Sequence, residues 1–175
     1  METWAAIDGV RVIRAFDPRP LQPQHLTRIL HAARRTGSSK NRQDWAFIVV
    51  RDRGRLVDLS KVGPYAGHLA GAPVAIALIG PKGRDAWDLG RAAQDMVLAA
   101  WDLGVGSVPA TVYEHELATR LLGLPADRVC PYLLSFGYPA NPADLTRPKR
   151  AGGRKALAEI VHLERWGEPW RAEMG

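Results

Sequence analysis

At 175 residues, with 46% hydrophobic and 24% charged residues, the chain reads as one soluble globular domain with a core of its own. The net charge of +6 invites a nucleic-acid partner, but it is mostly arginine and dispersed, densest over residues 147–155 (RPKRAGGRK), where a solvated tail and a phosphate site both fit. A single cysteine, Cys130, excludes an internal disulfide framework and an all-cysteine metal site, and the five histidines (His25, His31, His68, His115 and His162) form no HxxxH or HExxH pair. No run of about eighteen apolar residues is present to span a bilayer. The start, METWAAIDGVRVIRAF, lacks the apolar stretch of a signal peptide, so a cytoplasmic protein is expected.

Residues 2–10 read as a short helix with Trp4, Ala5 and Ile7 available for packing. In the following RVIRAF, Arg11 and Arg14 are three apart and are expected to converge on one face of a turn or helix start. A guanidinium is permanently charged and forks onto phosphate oxygens; a plain surface role is the alternative. After Asp17-Pro18, residues 23–36 have the helical spacing of a core face in Leu26, Ile29, Leu30 and Ala33. Gly37 ends that helix. The stretch 37–50, GSSKNRQDWAFIVV, is a polar loop followed by a buried strand over 46–50. Ser38, Ser39, Asn41 and Gln43 carry donors and acceptors suited to the edge of a planar heteroaromatic ligand, or to capping the loop's own neighbours.

Residues 51–59 and 64–70 read as short helices, and 74–79 (VAIALI) as a second buried strand with Pro73 at its start. Gly80-Pro81-Lys82-Gly83 is a turn. The longest helix is expected over 85–103, its core face running through Leu89, Ala92, Ala93, Met96, Val97, Ala100 and Leu103, with alanines that permit close helix approach. A third strand over 107–112, a helix over 114–122 ending at Gly123, and a fourth strand over 132–136 follow. Residues 141–153 are a loop rich in proline, glycine and basic side chains.

Several pieces resemble the nitroreductase family of FMN flavoproteins. Gly37-Ser38-Ser39-Lys40-Asn41-Arg42-Gln43-Asp44-Trp45 is similar to P-S-S-x-N-x-Q-x-W, with only the proline replaced. Arg11, Arg14 and Phe16 match R-S-x-R-x-F, with Val12 in place of the serine. Leu103-Gly104 before the third strand, LGLP at 122–125, GYP at 137–139, and RKAL with EIVH at 154–162 ahead of Trp166-Gly167 also fall in the family's order. The resemblance covers nearly the whole chain, from about residue 11 to 166.

The resemblance implies a single α+β domain with a central mixed sheet of four strands and helices on both faces. It implies a C-terminal extension, residues 154–166, exchanged across a homodimer to add a fifth strand, with the alanine-rich helix as a seam. It implies FMN as cofactor and NADH or NADPH as electron donor. Arg11 and Arg154 would hold the phosphate, with one side-chain contact missing at Val12. Arg14 would face the ribityl chain and the N1/O2 edge, where a cation favours the reduced anion. Ser38, Ser39 and Asn41 would reach the flavin from the other subunit, with Gln43 in the same motif. The strand end Pro109-Ala110-Thr111 would approach N5, the Thr111 N–H pointing at it, so Thr111 and Arg14 are the expected catalytic residues. The short connection after Gly83 implies an open site, and Val112 stands where a small residue is usual. Nitroaromatics and quinones are the expected acceptors. The rivals are other flavin chemistry on the same fold, such as reductive dehalogenation or flavin fragmentation, and a flavin- or nucleic-acid-binding protein. Against the last, the basic tail has no interleaved aromatics.

Overall fold

The apolar runs of the sequence become the strands of one sheet. The computed structural model describes residues 2–84, 86–148 and 153–170. Strands β1 (Ala46–Val50), β2 (Val74–Pro81), β3 (Gly106–Thr111) and β4 (Arg128–Gly137) lie in the order β1-β2-β4-β3. Alternation along β2 and β4 assigns the two faces. Val74, Ile76, Leu78, Leu134 and Phe136 pack under α2 (Pro23–Arg35) and α4 (Trp87–Asp102). Ala75, Ala77, Ile79 and Leu133 pack under α3 (Arg53–Leu59), a 3-10 turn at Gly67–Gly71, and α5 (His115–Leu122). Helices therefore cover both faces.

All three strand pairings are antiparallel. The parallel component of the sheet is a single bridge, Val12 to Ser107, on the open edge of β3. β4 starts at Arg128, four residues before the expected 132. The added stretch contains Pro131, and the register with β2 shifts between Leu78 and Gly80, so the proline sits in a bulge where no ladder N–H is needed. Residues 64–70, expected as a helix, form the 3-10 turn instead.

The first helix, α1 (Thr3–Gly9), is capped at both ends by side chains. The Glu2 carboxylate accepts from the Trp4 and Ala5 amides at 3.1 and 3.0 Å, and these bonds hold its pKa below the ordinary carboxylate value. The alanine face of α4 is used inside the chain: Ala92 and Ala100 are fully buried against the α2 layer, and the Thr36 hydroxyl at the end of α2 donates to Asp95 on α4. At the C-terminal end, α6 (Leu157–Ile160) is one turn, and Leu157, Ile160, Leu163 and Trp166 expose apolar side chains, Trp166 to 91%.

Cys130 faces the α3/α5 core, its thiol donating to the Tyr132 carbonyl at 3.3 Å, and burial pushes its pKa up to about 12. The folded protein is therefore expected to resist an aromatic disulfide reagent at pH 8 and to release one thiol equivalent only in denaturant. Rapid reaction of the native chain would contradict this packing.

Candidate functional site

Residues 10–17 cross the open edge of β3 as extended chain, held by Ile13 N–H to Ser107 O (3.0 Å), the Val12–Ser107 bridge, the Phe16–Pro139 bridge and Asp17 N–H to Tyr138 O (2.9 Å). Two glycines make this approach possible. A Cβ on Gly106 would lie 2.6 Å from Ile13 Cβ, and one on Gly137 would lie 2.7 Å from the Phe16 ring. The expectation of a turn or helix start that brings both arginines to one face is thus corrected. An odd spacing in extended chain sends Arg11 and Arg14 to different sides.

Arg11 turns back onto α1, its Nη1 donating to the carbonyls of Asp8, Gly9 and Val10 at 2.8, 2.7 and 2.9 Å. This caps the helix and fixes the guanidinium, leaving Nε and Nη2 without a partner among the described residues. Val12 is 46% exposed and offers no hydroxyl. Arg14 is exposed and has no hydrogen bond or ion pair among the described residues.

The end of β3 is rigid. Val112 N–H bonds to Pro131 O on β4, while the Tyr113 and Glu114 amides both reach Val62 O, at 2.8 and 2.9 Å. Gly63 has no room for a side chain, because its Cβ would stand 2.7 Å from Thr111 O. Strand alternation then orients the edge. Since Val112 N–H faces β4 and Ser107 O faces the N-terminal segment, the Thr111 N–H projects from the open edge. Pro109, which has no N–H, shares that edge, and Ala110 is buried beneath it. The segment 10–17 and Pro109, Ala110 and Thr111 therefore share one sheet edge, with Val12 bridged to Ser107 and Arg11 turned back onto α1.

His68 belongs to the same place and was missed in the sequence, where it counted only as one of several scattered histidines. It rises from the 3-10 turn, its Nδ1 2.8 Å from Ser135 Oγ on β4, and its buried Nε2 has no hydrogen-bond partner among the described residues. The Pro109 carbonyl and the Arg14 charge lie beside the ring. Burial, reinforced by Arg14, holds its pKa below the ordinary 6.5 despite the opposing pull of the Pro109 carbonyl. No local motif marks it; its partner is 67 residues away.

Ser38, Ser39, Asn41 and Gln43 lie elsewhere, in the loop before β1 at the opposite edge of the sheet. Three strand spacings, roughly 14 Å, separate β1 from β3. Lys40, Asn41 and Gln43 all have positive φ, near +53°. Three such residues in four cost on the order of 1 kcal/mol each, a concentration of strain typical of ligand-binding loops. The loop is nonetheless fixed. Ser38 Oγ accepts from Gln43 N–H (3.0 Å), Gln43 Nε2 donates to Asn41 Oδ1 (2.9 Å), Ser39 N–H donates to Asp88 (3.1 Å), and Arg91 holds Gly37 O (2.8 Å). The Asn41 and Gln43 side chains face outward. A cleft of about 580 Å³ at this corner includes only Ser39 of the expected ligand set. Arg154 is exposed and has no hydrogen bond or ion pair among the described residues. One chain thus carries two groups of candidate residues and does not unite them.

Among the described residues no three His, Cys, Asp or Glu side chains cluster as a metal site, and no helix is long and apolar enough to cross a membrane.

Comparison with known proteins bears on the family and the fold. The sequence profile described as the nitroreductase family matches residues 7–66 and 57–138. The chain is 33% identical over 167 residues to a protein of Archaeoglobus fulgidus with the provisional name NADH dehydrogenase/NAD(P)H nitroreductase, covering 89% of this chain and 94% of that one. A protein of Methanothermobacter thermautotrophicus with the same provisional name is 34% identical over 180 residues, covering 95% and 88%. Among solved structures, an FMN-dependent nitroreductase from Clostridium difficile superposes with a TM-score of 0.82 at 26% identity, covering 94% of this chain and all of that one.

Proposed function

The chain belongs to the nitroreductase family, and from that premise we propose that it is an FMN-dependent NAD(P)H oxidoreductase whose two half-sites meet across a homodimer. One observation carries the reading. The edge of β3 presents a fixed arginine, a free arginine and an outward amide, while the strained amide-bearing loop lies on the far edge of the same sheet. A second copy, related by two-fold symmetry, supplies the missing half to each site.

The residues present fit FMN. Arg11, already oriented by three carbonyls, offers its remaining N–H groups to the phosphate, and Arg154 closes on the same group. Val12 adds no side-chain contact there. Arg14 places an uncompensated cation where negative charge develops at the N1/O2 edge. The Thr111 N–H supplies a fixed donor beside N5, and Pro109 and Ala110 bring no competing edge amide. Ser38, Ser39, Asn41 and Gln43 of the second copy present donors and acceptors to the ring edge. Bound FMN would supply the two-electron chemistry, accepting hydride from NADH or NADPH and delivering it to an electrophile such as a nitroaromatic or quinone.

The exposed apolar side chains have the character of an obligate interface. Among them are Trp166 (91%), Trp87 (72%) and Trp4 (69%), with Ile7, Leu157, Ile160 and Leu163. These side chains, with the part-exposed Ala93 and Ala99 of α4, are the surface a second copy would cover, with residues 154–166 crossing to it.

Released by denaturation and chromatographed, the chromophore of the purified protein is expected to be FMN, one per chain, bleached in the native protein by NADH or NADPH without oxygen. FAD, or no flavin after reconstitution with excess FMN, would overturn the reading.

A further inference from the structure

The cleft of about 580 Å³ beside the Ser38–Gln43 loop is given no task by the proposed chemistry, and its lining is of two kinds. The apolar part is preformed. Trp45 is stacked on Phe47, the ring centroids 6.5 Å apart, and Leu89 is buried in the α2/α4 core. Gly80 leaves Leu89 its room, since a Cβ there would stand 2.9 Å from Leu89 Cδ1. Val129 and Pro131, at the start of β4, line the cleft as well. The other part is charged. Arg42 Nε and Arg84 Nη1 converge on one carboxylate oxygen, Asp44 Oδ2, at 3.1 and 3.3 Å. Asp44 is held in place by Arg128, whose Nη1 donates to its carbonyl at 2.7 Å. Each of the two guanidinium groups spends one N–H on the shared carboxylate, and their other N–H groups have no partner among the described residues. Asp88, the second carboxylate of the described lining, is already engaged by the Ser39 amide at 3.1 Å and by Arg91 at 3.9 Å. Among the described residues, Arg42 and Arg84 against Asp44 thus leave one positive charge unmatched.

We propose that this cleft is the acceptor subsite of the flavin bound across the dimer, and that it takes a flat quinone- or nitroarene-like acceptor carrying one anionic group, a carboxylate or a sulfonate. The inference rests on the flavin reading above. Ser39 links the two, because it lines the cleft and belongs to the loop that a second copy would present to the ring edge of FMN. Trp87, part of the surface proposed for that second copy, lines the cleft too, so the cleft opens at the seam. Each part of the acceptor has its counterpart. The ring lies on the apolar lining, where contact with Trp45 favours a planar body. The anion meets the unused N–H groups of Arg42 and Arg84, which fork onto carboxylate or sulfonate oxygens. The volume is that of a small-molecule site, about 300–1,000 Å³, and suits a compound of one or two fused rings. A single unmatched charge suits a monoanion better than a dinucleotide, which carries a charge on each of its phosphates. The reaction balances without a further group: a quinone takes up hydride from the reduced flavin and one proton from solvent, and leaves as the hydroquinone.

The test is reoxidation of the pre-reduced holoprotein, followed by flavin absorbance after anaerobic mixing with a naphthoquinone sulfonate or with the uncharged methylnaphthoquinone. Arg84→Gln and Arg42→Gln are compared with wild type. Each substitution is expected to slow the sulfonate about three- to tenfold, as loss of a charge-assisted hydrogen bond at a part-exposed site should, and to change the methyl compound by less than about twofold. The quinones' own reactivities cancel in the variant-to-wild-type ratio. Raising the salt concentration should shrink the wild-type preference for the sulfonate toward that of the variants. Equal slowing of both quinones would mean that the arginines act on the flavin or the fold, and would overturn the subsite. Rates of both quinones indifferent to both substitutions, the result expected if the second copy fills the cleft, would overturn it too, while bound FMN leaves the flavin reading standing. Slower bleaching by NADPH with both quinones unaffected would assign the arginines to the donor and overturn the acceptor claim. A protein that holds no FMN would overturn both readings. Should Arg42→Gln disturb the strained loop, Arg84→Gln, outside that loop, decides together with the salt dependence of wild type.

Discussion

Gly106→Ala is expected to lower the melting temperature by roughly 3–10 °C and to weaken FMN binding at the same time. The added Cβ would fall 2.6, 2.7 and 2.9 Å from three atoms of Ile13. Ile13 is 2% exposed and is held by its own backbone bond to Ser107, so it has no free direction in which to yield. Overpacking of this kind costs about 1–3 kcal/mol, and each kcal/mol moves the midpoint of a chain this size by about 2–4 °C. The segment displaced is the one that carries Arg11 and Arg14, which is why stability and flavin affinity should fall together. Gly90→Ala is the control. A Cβ there meets nothing within 4 Å and the site is in the helix α4, so that variant should be neutral or more stable by a few tenths of a kcal/mol. Thermal unfolding and FMN titration of both variants check this; an unchanged midpoint in Gly106→Ala would mean that the N-terminal segment is not clamped to β3.

Arg154→Ala and Arg14→Ala are expected to fail in different ways. If Arg154 clamps the phosphate, its loss removes charge-assisted hydrogen bonds to a partly buried dianion, on the order of 2 kcal/mol, or roughly thirtyfold in FMN affinity. Turnover at saturating FMN should fall much less, because the phosphate is remote from N5. Arg14→Ala should lower both the affinity and the reduction potential, because that cation faces the charge that reduction creates. FMN affinity and potential for the two variants beside wild type are the measurements. A change of only a few tenths of a kcal/mol in Arg154→Ala would return residues 154–166 to a solvated tail.

Periodicity reported well what lies within one element. The strand 46–50, the buried face Leu26, Ile29 and Ala33, and the stop at Gly123 all occur as their spacing predicts. The early start of β4 was not legible, because it runs through a bulge at Pro131 and the sequence alone does not announce where a bulge falls. The direction of the two arginines, proposed here as flavin ligands, was not legible. Their segment has no periodicity of its own, and its extended form is imposed by Ser107 and Tyr138, more than ninety residues away. The Ser38–Gln43 stretch was legible as a polar loop before a strand, and its positive φ values were not. Its distance from β3 was not legible, because strand order, not chain order, sets it. His68 was invisible for the same reason: its environment is assembled from Ser135, Pro109 and Arg14, none of them near it in sequence.

The claim that each flavin site is built from two chains is tested most directly by light scattering on the eluting protein, recorded together with flavin absorbance. A single species of about twice the 19.2 kDa chain mass is expected, carrying one FMN per chain, with the flavin lost whenever dilution or denaturant produces monomer. A monomer that elutes with FMN still bound would contradict it.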